Sequence, residues 1–250
     1  MSFLADVIAW FADGENWTGP FGIPARMWEH LRYSLAAVVT ATAIALPLGL
    51  LLGHLRRFGT LAVNVANIGR ALPSLAILIL AVLVFSIREL PFAGPIPTYI
   101  ALVLLGLPPI LLNAYTGMAE VDDHLREAAA GMGMTGWQQA TGAELPNALP
   151  LVLAGVRTSA VQIVATATLA AAVGAGGLGR YIIDGIAVQD NVRVFAGAVL
   201  AAVLAAATEL VFSILERVTV SPGVRRVVER RARPADEGDP DQAALPSSPI

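Results

Sequence analysis

Of the 250 residues, 56% are apolar and only 14% are charged, and the mean hydropathy is +0.68. Soluble domains carry roughly 25% charged residues, so this is the composition of an integral membrane protein with several helices, not of a soluble enzyme. A net charge of −3 offers nothing to nucleic acid, and the absence of cysteine excludes disulfides and thiolate metal sites.

Residues 1–11 are apolar but fall short of the roughly 20 helical residues that cross a bilayer core, and they read as an interfacial helix. A first span is predicted over 31–53, closed by His54-Leu55-Arg56-Arg57. A second covers 61–87 and carries Pro73, which predicts one kinked helix. After a loop with Pro91, Pro95 and Pro97, a third span is predicted over 98–118. The stretch 119–150 is polar, the fourth span covers 151–173, residues 174–191 are glycine-rich, and the fifth span covers 192–215. The tail is first basic (Arg225, Arg226, Arg230, Arg231, Arg233), then acidic and proline-rich, a composition that predicts disorder. Its basic half can touch anionic lipid headgroups or remain solvated. The chain thus divides into an N-terminal segment (1–30), a transmembrane unit (31–217) and a cytosolic tail (218–250).

Arginines set the orientation. Arg56 and Arg57 follow the first span, and Arg217, Arg225 and Arg226 follow the fifth. With five spans both groups lie on one side, together with the stretch 119–150, so the N-terminus is outside and the C-terminus inside. Splitting 61–87 into two spans would put that stretch and the basic tail on opposite sides.

All 16 basic residues are arginine. The chain therefore lacks the lysine of a P-loop and any Schiff-base lysine. His30, His54 and His124 are scattered at predicted segment ends, so no metal site or cofactor is expected. Gly174, Gly176, Gly177 and Gly179 include a G-x-G-x-x-G match, but no strand precedes it, which argues against a nucleotide fingerprint.

The stretch 119–150 reads as two short helices. Asp122 is a suitable N-cap for the first, and Glu127, Ala128 and Ala129 lie within it. Gly131 and Gly133 permit a sharp turn. Thr135 and Gln138 have capping-box spacing for a second helix, which Leu145 and Pro146 are expected to end. Small Ala128 and Ala129 admit a close partner, and Glu127 offers it an acceptor. A helix hairpin lying on the lipid surface is an equally simple reading of these residues.

The order E-A-A, three residues, Gly, eleven residues, Leu-Pro (Glu127 to Pro146) resembles the EAA loop of ATP-binding-cassette (ABC) importer permeases. Asn113 to Gly117, Val121-Asp122, Gly131 to Thr135, Glu144 to Pro146, Ala148 to Pro150, Gly155, Arg157-Thr158, Thr166 to Ala170 and Gly174 to Gly179 are similar to the osmoprotectant (glycine betaine, carnitine, choline, proline) branch, as are Arg70 to Leu75 upstream. Ala143 and Asp123 depart from the usual pattern without removing a charge or a turn.

The resemblance implies an all-α permease fold with about five core transmembrane helices and a cytosolic EAA coupling loop. It implies a bacterial inner-membrane location and, as partners, an ABC ATPase pair, a second permease chain (identical or paralogous), an extracytoplasmic solute-binding protein and membrane lipid. The glycines at 174–179 would then lead into an external gate with Tyr181, Ile182 and the residues to Ile186 as a short helix. Arg70, Arg157 and Glu209 lie in or near the spans, as interhelical ties or as gating charges, and Arg157 and Glu209 are close enough in depth to pair. No aromatic cage for a quaternary ammonium is evident in the spans, which places solute affinity in the receptor. Alternatives are a permease for another small solute such as an amino acid, a passive channel, and a membrane-embedded enzyme, for which no nucleophile–base pair or metal set is visible.

Overall fold

The structure, a computed structural model, describes residues 2–57, 59–71, 73–87 and 95–220; within the helices, the side chains of residues 61, 62, 65, 66, 70, 71 and 95 are also outside the description. The side chain of Arg70 and the tail from 221 to 250, both subjects of expectations above, therefore lie outside the described residues.

Every regular element among the described residues is helical. Helix α1 (Phe3–Ala12) is followed by a 3₁₀ turn (Gly14–Trp17) and α2 (Ile23–His54). Next come α3 (Gly59–Ala71), α4 (Ser74–Ile87), α5 (Pro95–Ala119), α6 (Asp123–Gly131) and α7 (Gly136–Gln138). A π-helical segment (Gln139–Glu144) joins α7 to α8 (Leu145–Thr166), and a 3₁₀ stretch (Leu169–Val173), α9 (Gly179–Ala187) and α10 (Asn191–Thr219) follow.

Four of the described helices are long and apolar enough to cross a membrane: Ile23–His54, Ile96–Ala119, Gly136–Thr166 and Asn191–Thr219. Their boundaries differ from the hydropathic ones for local reasons. α2 begins at Ile23 because Gly22 caps it and Pro24, with its preset φ, fits the first turn. The boundary expected at residue 30 thus falls inside a helix. The segment 61–87, expected as one kinked span, is two helices, α3 and α4, on either side of Pro73. Leu145 and Pro146 do not end the helix before them. Helical backbone runs on through the π segment into α8, and Pro146 lies just after the point where π-helix gives way to α-helix. The fourth span stops early, at Thr166, and the 3₁₀ stretch runs into Gly174 at φ 87°.

α5 is central, with α2, α3, α4 and α8 packed around it, while α10 lies against α8, α9 and α1. Within the apolar window of α5 56% of residues are buried, against 17% for α10, so α10 is peripheral. Hydrocarbon is as apolar as leucine, so helix association there depends on close contact between small residues. α2 carries such a stripe: Ala37, Ala41, Ala45, Gly49 and Gly53 recur every fourth residue and all are buried. A Cβ on Gly49 would lie 2.7 Å from Ala114 Cβ, and one on Gly53 would lie 2.5 Å from the Tyr115 carbonyl. α5 meets α8 in the same way. A Cβ on Gly106 would meet Ile163, Ser159 and Ala41, and one on Gly155 would lie 2.6 Å from Asn113 Cβ.

Pro108 and Pro109 sit inside α5. Pro109 cannot bond the Leu105 carbonyl one turn back. Gln162 Nε2 of α8 reaches that oxygen at 3.5 Å, and Ser159 Oγ donates to the Gly106 carbonyl at 2.9 Å. Carbonyls of α5 next to the proline pair are thus met by polar groups of α8. Outward-facing Leu35, Val39, Leu48 and Leu51 of α2 and Leu210, Val211 and Val218 of α10 stay exposed, as lipid-facing residues do.

Gly53→Val should overpack the α2–α5 contact, at a cost of about 1–3 kcal/mol. The expected result is a lower melting temperature and less monodisperse protein in detergent, with Leu51→Val on the exposed face near wild type. Equal melting of the two variants would refute the contact.

Candidate functional site

The polar groups gather at the two ends of α2. At one end, Asp122 caps α6 by accepting from His124 N at 2.9 Å. α6 runs to Gly131, and the chain reverses at Gly133, whose φ is 80°. Among the described residues nothing lies within 4 Å of a Cβ built on Gly133, so its constraint there is backbone conformation and not space. Thr135 and Gln138 form the expected capping box. Glu127, Ala128, Gly133 and Pro146 are exposed, Leu145 is half-buried and Ala129 is buried. Only one of the two alanines expected to meet a partner therefore faces outward. Met132 and Trp137 flank the turn at 75% and 77% exposure, a degree of apolar exposure that a partner surface would cover.

Beneath this surface lies a buried ionic clasp. Glu144, at the end of the π segment, is 1% exposed. Its Oε2 accepts from His54 Nδ1 at 2.8 Å and lies 3.3 Å from an Arg126 nitrogen. Arg126 also donates to the Met118 carbonyl at 2.6 Å and to the His54 carbonyl at 3.2 Å. Burial pushes the Arg126 guanidinium below its ordinary value, and the neighbouring Glu144 charge works in the opposite sense. Arg56 is in the left-handed region at φ 48°, where a side chain costs about 1–2 kcal/mol. It is held there by hydrogen bonds to Asp123 and, at 2.8 Å, to the Val121 carbonyl. The end of α2, the end of α5, α6 and the π segment are therefore tied together through side chains.

At the opposite end, the glycine-rich segment is fastened to α2. Glu29 Oε2 accepts from Gly177 N at 2.9 Å and from Arg26 at 2.9 Å. Buried His30 donates through Nε2 to the Val164 carbonyl at 2.9 Å and accepts from Leu178 N through Nδ1 at 3.3 Å. The Leu178 N–H can only donate, which fixes the tautomer. Gly177, at φ 84°, leaves room for His30, and a Cβ on Gly176 would collide with the Glu29 carboxylate. A Cβ on Gly179 would collide with the Thr168 carbonyl. Tyr181 is buried within its own chain: its hydroxyl donates to the Phe21 carbonyl at 2.8 Å and its ring meets Trp10 edge-on at 5.6 Å. Ile182 packs against Gly197 of α10, whereas Ile186 and Val188 are exposed at 59% and 67%.

Between the two ends, Arg157 of α8 pairs with Glu209 and, at 3.2 Å, with Glu216, both on α10. Glu144, Arg126, His54, Glu29 and His30 were not singled out from the sequence as a site. One signal was available: Glu144 is an acidic residue directly before Leu-Pro and an apolar run. Its basic partners lie in other segments, which no linear spacing indicates.

Residues 45–220 match the family described as binding-protein-dependent transport system inner membrane component. The chain belongs to that family. It is 37% identical over 201 residues, 80% of its length and 90% of the relative's, to the glycine betaine/carnitine/choline transport system permease protein OpuCB of Bacillus subtilis. It is 36% identical to the carnitine transport permease protein OpuCB of Listeria monocytogenes, covering 82% of this chain and 91% of that one. The osmoprotectant import permease protein OsmW of Salmonella typhimurium is 33% identical, with 79% and 92% covered. The fold matches the inward-facing MetNI methionine ABC transporter with a TM-score of 0.68 at 23% identity, over 80% of this chain and 96% of that chain. The chain is thus a multi-pass membrane subunit of an ABC importer. It works with a binding protein and with a separate ATPase subunit that hydrolyses the ATP, and it is not itself an enzyme.

Removing one partner of a buried ion pair costs about 3–5 kcal/mol, because the other charge is left uncompensated. Glu144→Ala should therefore cost more stability than Asp123→Ala, whose carboxylate is largely exposed. Thermal melts of the two purified variants in detergent compare them directly, and a smaller loss for Glu144→Ala would count against the clasp.

Proposed function

We propose that this chain forms the translocation path of an importer for a compatible solute: glycine betaine, choline, carnitine or proline. The observation that carries the reading is the 37% identity, over 90% of its length, to a glycine betaine/carnitine/choline permease. In this reading residues 31–217 make up the permease unit, with an extracytoplasmic segment (1–30) that runs into the first turns of α2 and a cytosolic tail (218–250). The N-terminus is outside and the C-terminus inside, in a bacterial inner membrane. ATPases of this kind act as a pair, so two permease chains, identical or paralogous, complete the path.

The exposed Glu127, Ala128, Gly133, Met132 and Trp137 form the surface that docks on the ATPase, and Leu145 and Pro146 anchor it to α8. A displacement of α6 passes through Arg126 and Glu144 to His54, at the end of α2. That helix has 32 residues at about 1.5 Å each, about 48 Å in all. Its other end holds the glycine segment through Glu29 and His30. α2, which carries Pro47 inside it, then links the coupling loop to an external gate at Gly174, Gly176, Gly177 and Gly179, with α9 beside it. Arg157 and Glu209 keep α8 and α10 moving together as an interhelical tie.

Expressed with its ATPase and binding protein in a bacterium lacking its own osmoprotectant importers, the chain should restore growth at high salt when one of the four solutes is supplied. Growth restored by this chain alone would mean a secondary transporter or channel. Uptake of none of the four would defeat the solute class.

Coupling can be tested separately. A β-branched residue cannot hold φ near 80° without strain, so Gly133→Val should abolish transport-coupled ATPase activity while the chain still inserts. Wild-type coupling in that variant would remove the loop from the coupling path. For the gate, single cysteines at Ile186 and Val188, in this cysteine-free chain, should cross-link between two permease chains in the resting complex, and failure to do so would place the gate elsewhere.

A further inference from the structure

Beside the glycine segment is a cavity of about 290 Å³ lined by Phe21, Arg26, Arg180, Tyr181, Asp184 and Arg193. It is built where four pieces of chain converge: the turn before α2, the first turn of α2, α9, and the first turn of α10. Its walls carry three guanidinium groups and one carboxylate. Asp184 is shared, at 2.7 Å from Arg180 and 3.6 Å from Arg193. Arg26 is paired with Glu29, at 2.9 Å, and Glu29 is not part of the lining. Each guanidinium has five N–H donors, so these few acceptors leave most of the donor capacity unspent.

Two of the arginines also stack on aromatic rings. Arg26 lies over the Phe21 ring at 5.1 Å and Arg193 over the Tyr181 ring at 5.8 Å. The Tyr181 hydroxyl is committed to the Phe21 carbonyl, which pins that ring. Arg193, stacked on the pinned Tyr181 ring, loses little freedom when it binds, and the fork geometry of a guanidinium suits a carboxylate held by two parallel hydrogen bonds.

We infer that this cavity is the docking point for an acidic side chain of the binding protein. Three observations favour that occupant. The cavity is at the end of α2 remote from the coupling loop, the outer end in the orientation proposed above, on which this inference rests. Its surplus of positive charge repels a quaternary ammonium, so a trimethylammonium solute is a poor occupant. Its volume is just below the roughly 300–1,000 Å³ of small-molecule pockets, and it accommodates the tip of an aspartate or glutamate side chain. Arg180 follows Gly179 directly and belongs to α9, so a carboxylate seated here pulls on the helix that adjoins the glycine segment.

The test uses the complete importer in nanodiscs, measuring the Kd of its binding protein without solute or nucleotide, at low and high salt. The double variant Arg180→Gln/Arg193→Gln, in complexes that still co-purify with the ATPase, should weaken binding by about tenfold or more and flatten its salt dependence. Arg193→Lys, which keeps the charge, should retain most of both. A charge reversal, Arg193→Glu, should be rescued by an acid-to-arginine change on the binding protein. Unchanged affinity and salt dependence in the double variant would overturn the inference. So would a loss seen only in nanodiscs containing anionic lipid, which would assign the cavity to a headgroup, or a raised KM for solute at unchanged receptor affinity, which would assign it to the translocation path. Because the Kd is read without solute, an error in the solute class leaves this result standing and shows itself only in uptake.

Discussion

The close seating of α2 on α5 is the contact on which the rest of the molecule depends. In water, burial of apolar surface would drive these helices together; in hydrocarbon that term vanishes, and contact distance decides. Ala37, Ala41, Ala45, Gly49 and Gly53 give α2 a face with almost no side chain. The backbone of α5 lies so close that a methyl group at Gly53 would strike the Tyr115 carbonyl. α8 packs against both helices, meeting α5 at Gly106 and Gly155. With three helices interlocked in this way, the two ends of α2 have defined positions.

Those ends carry the polar chemistry. A buried carboxylate is costly unless it is paired, and Glu144 is paired through one oxygen only. His54 and Arg126 approach Oε2, while Oε1 and the Arg126 Nε make no hydrogen bond among the described residues. An ion pair of this kind adds little net stability, and its known use is to fix a geometry. Here it fixes the position of α6 relative to α2. The strained backbone at Arg56 fits the same reading, because a residue at φ 48° persists only where its surroundings hold it. At the other end the restraint is made of backbone amides. Gly177 N and Leu178 N are bonded to Glu29 and His30, and they can approach those side chains because Gly176 and Gly177 have no Cβ.

Proline inside the spans follows the same logic of local satisfaction. Pro109 leaves the Leu105 carbonyl without its helical partner, and Gln162 reaches it from α8. Pro73 separates α3 from α4 instead of bending a single helix. Pro146 follows directly on the π-helical segment, where the helix changes type without breaking.

The sequence by itself determined the class of molecule. An excess of apolar residues over charge can be dispersed only in a membrane, and Glu127-Ala128-Ala129, Gly133 and Leu145-Pro146 marked the polar loop through local signals: the Asp122 cap, the Thr135–Gln138 capping box and a glycine turn. Such signals are legible because they act between residues a few positions apart. Hydropathy placed the spans but missed the start of α2 and the break at Pro73, since a sum over a window is blind to caps and to the division of one apolar run into two helices. Tertiary structure alone decided that Ala129 is buried and Ala128 exposed, that Tyr181 is buried in its own chain, and that Glu144 meets His54 and Arg126, the former 90 positions away. Those outcomes depend on which helix faces which, and in a membrane that depends on where small residues allow two backbones to touch.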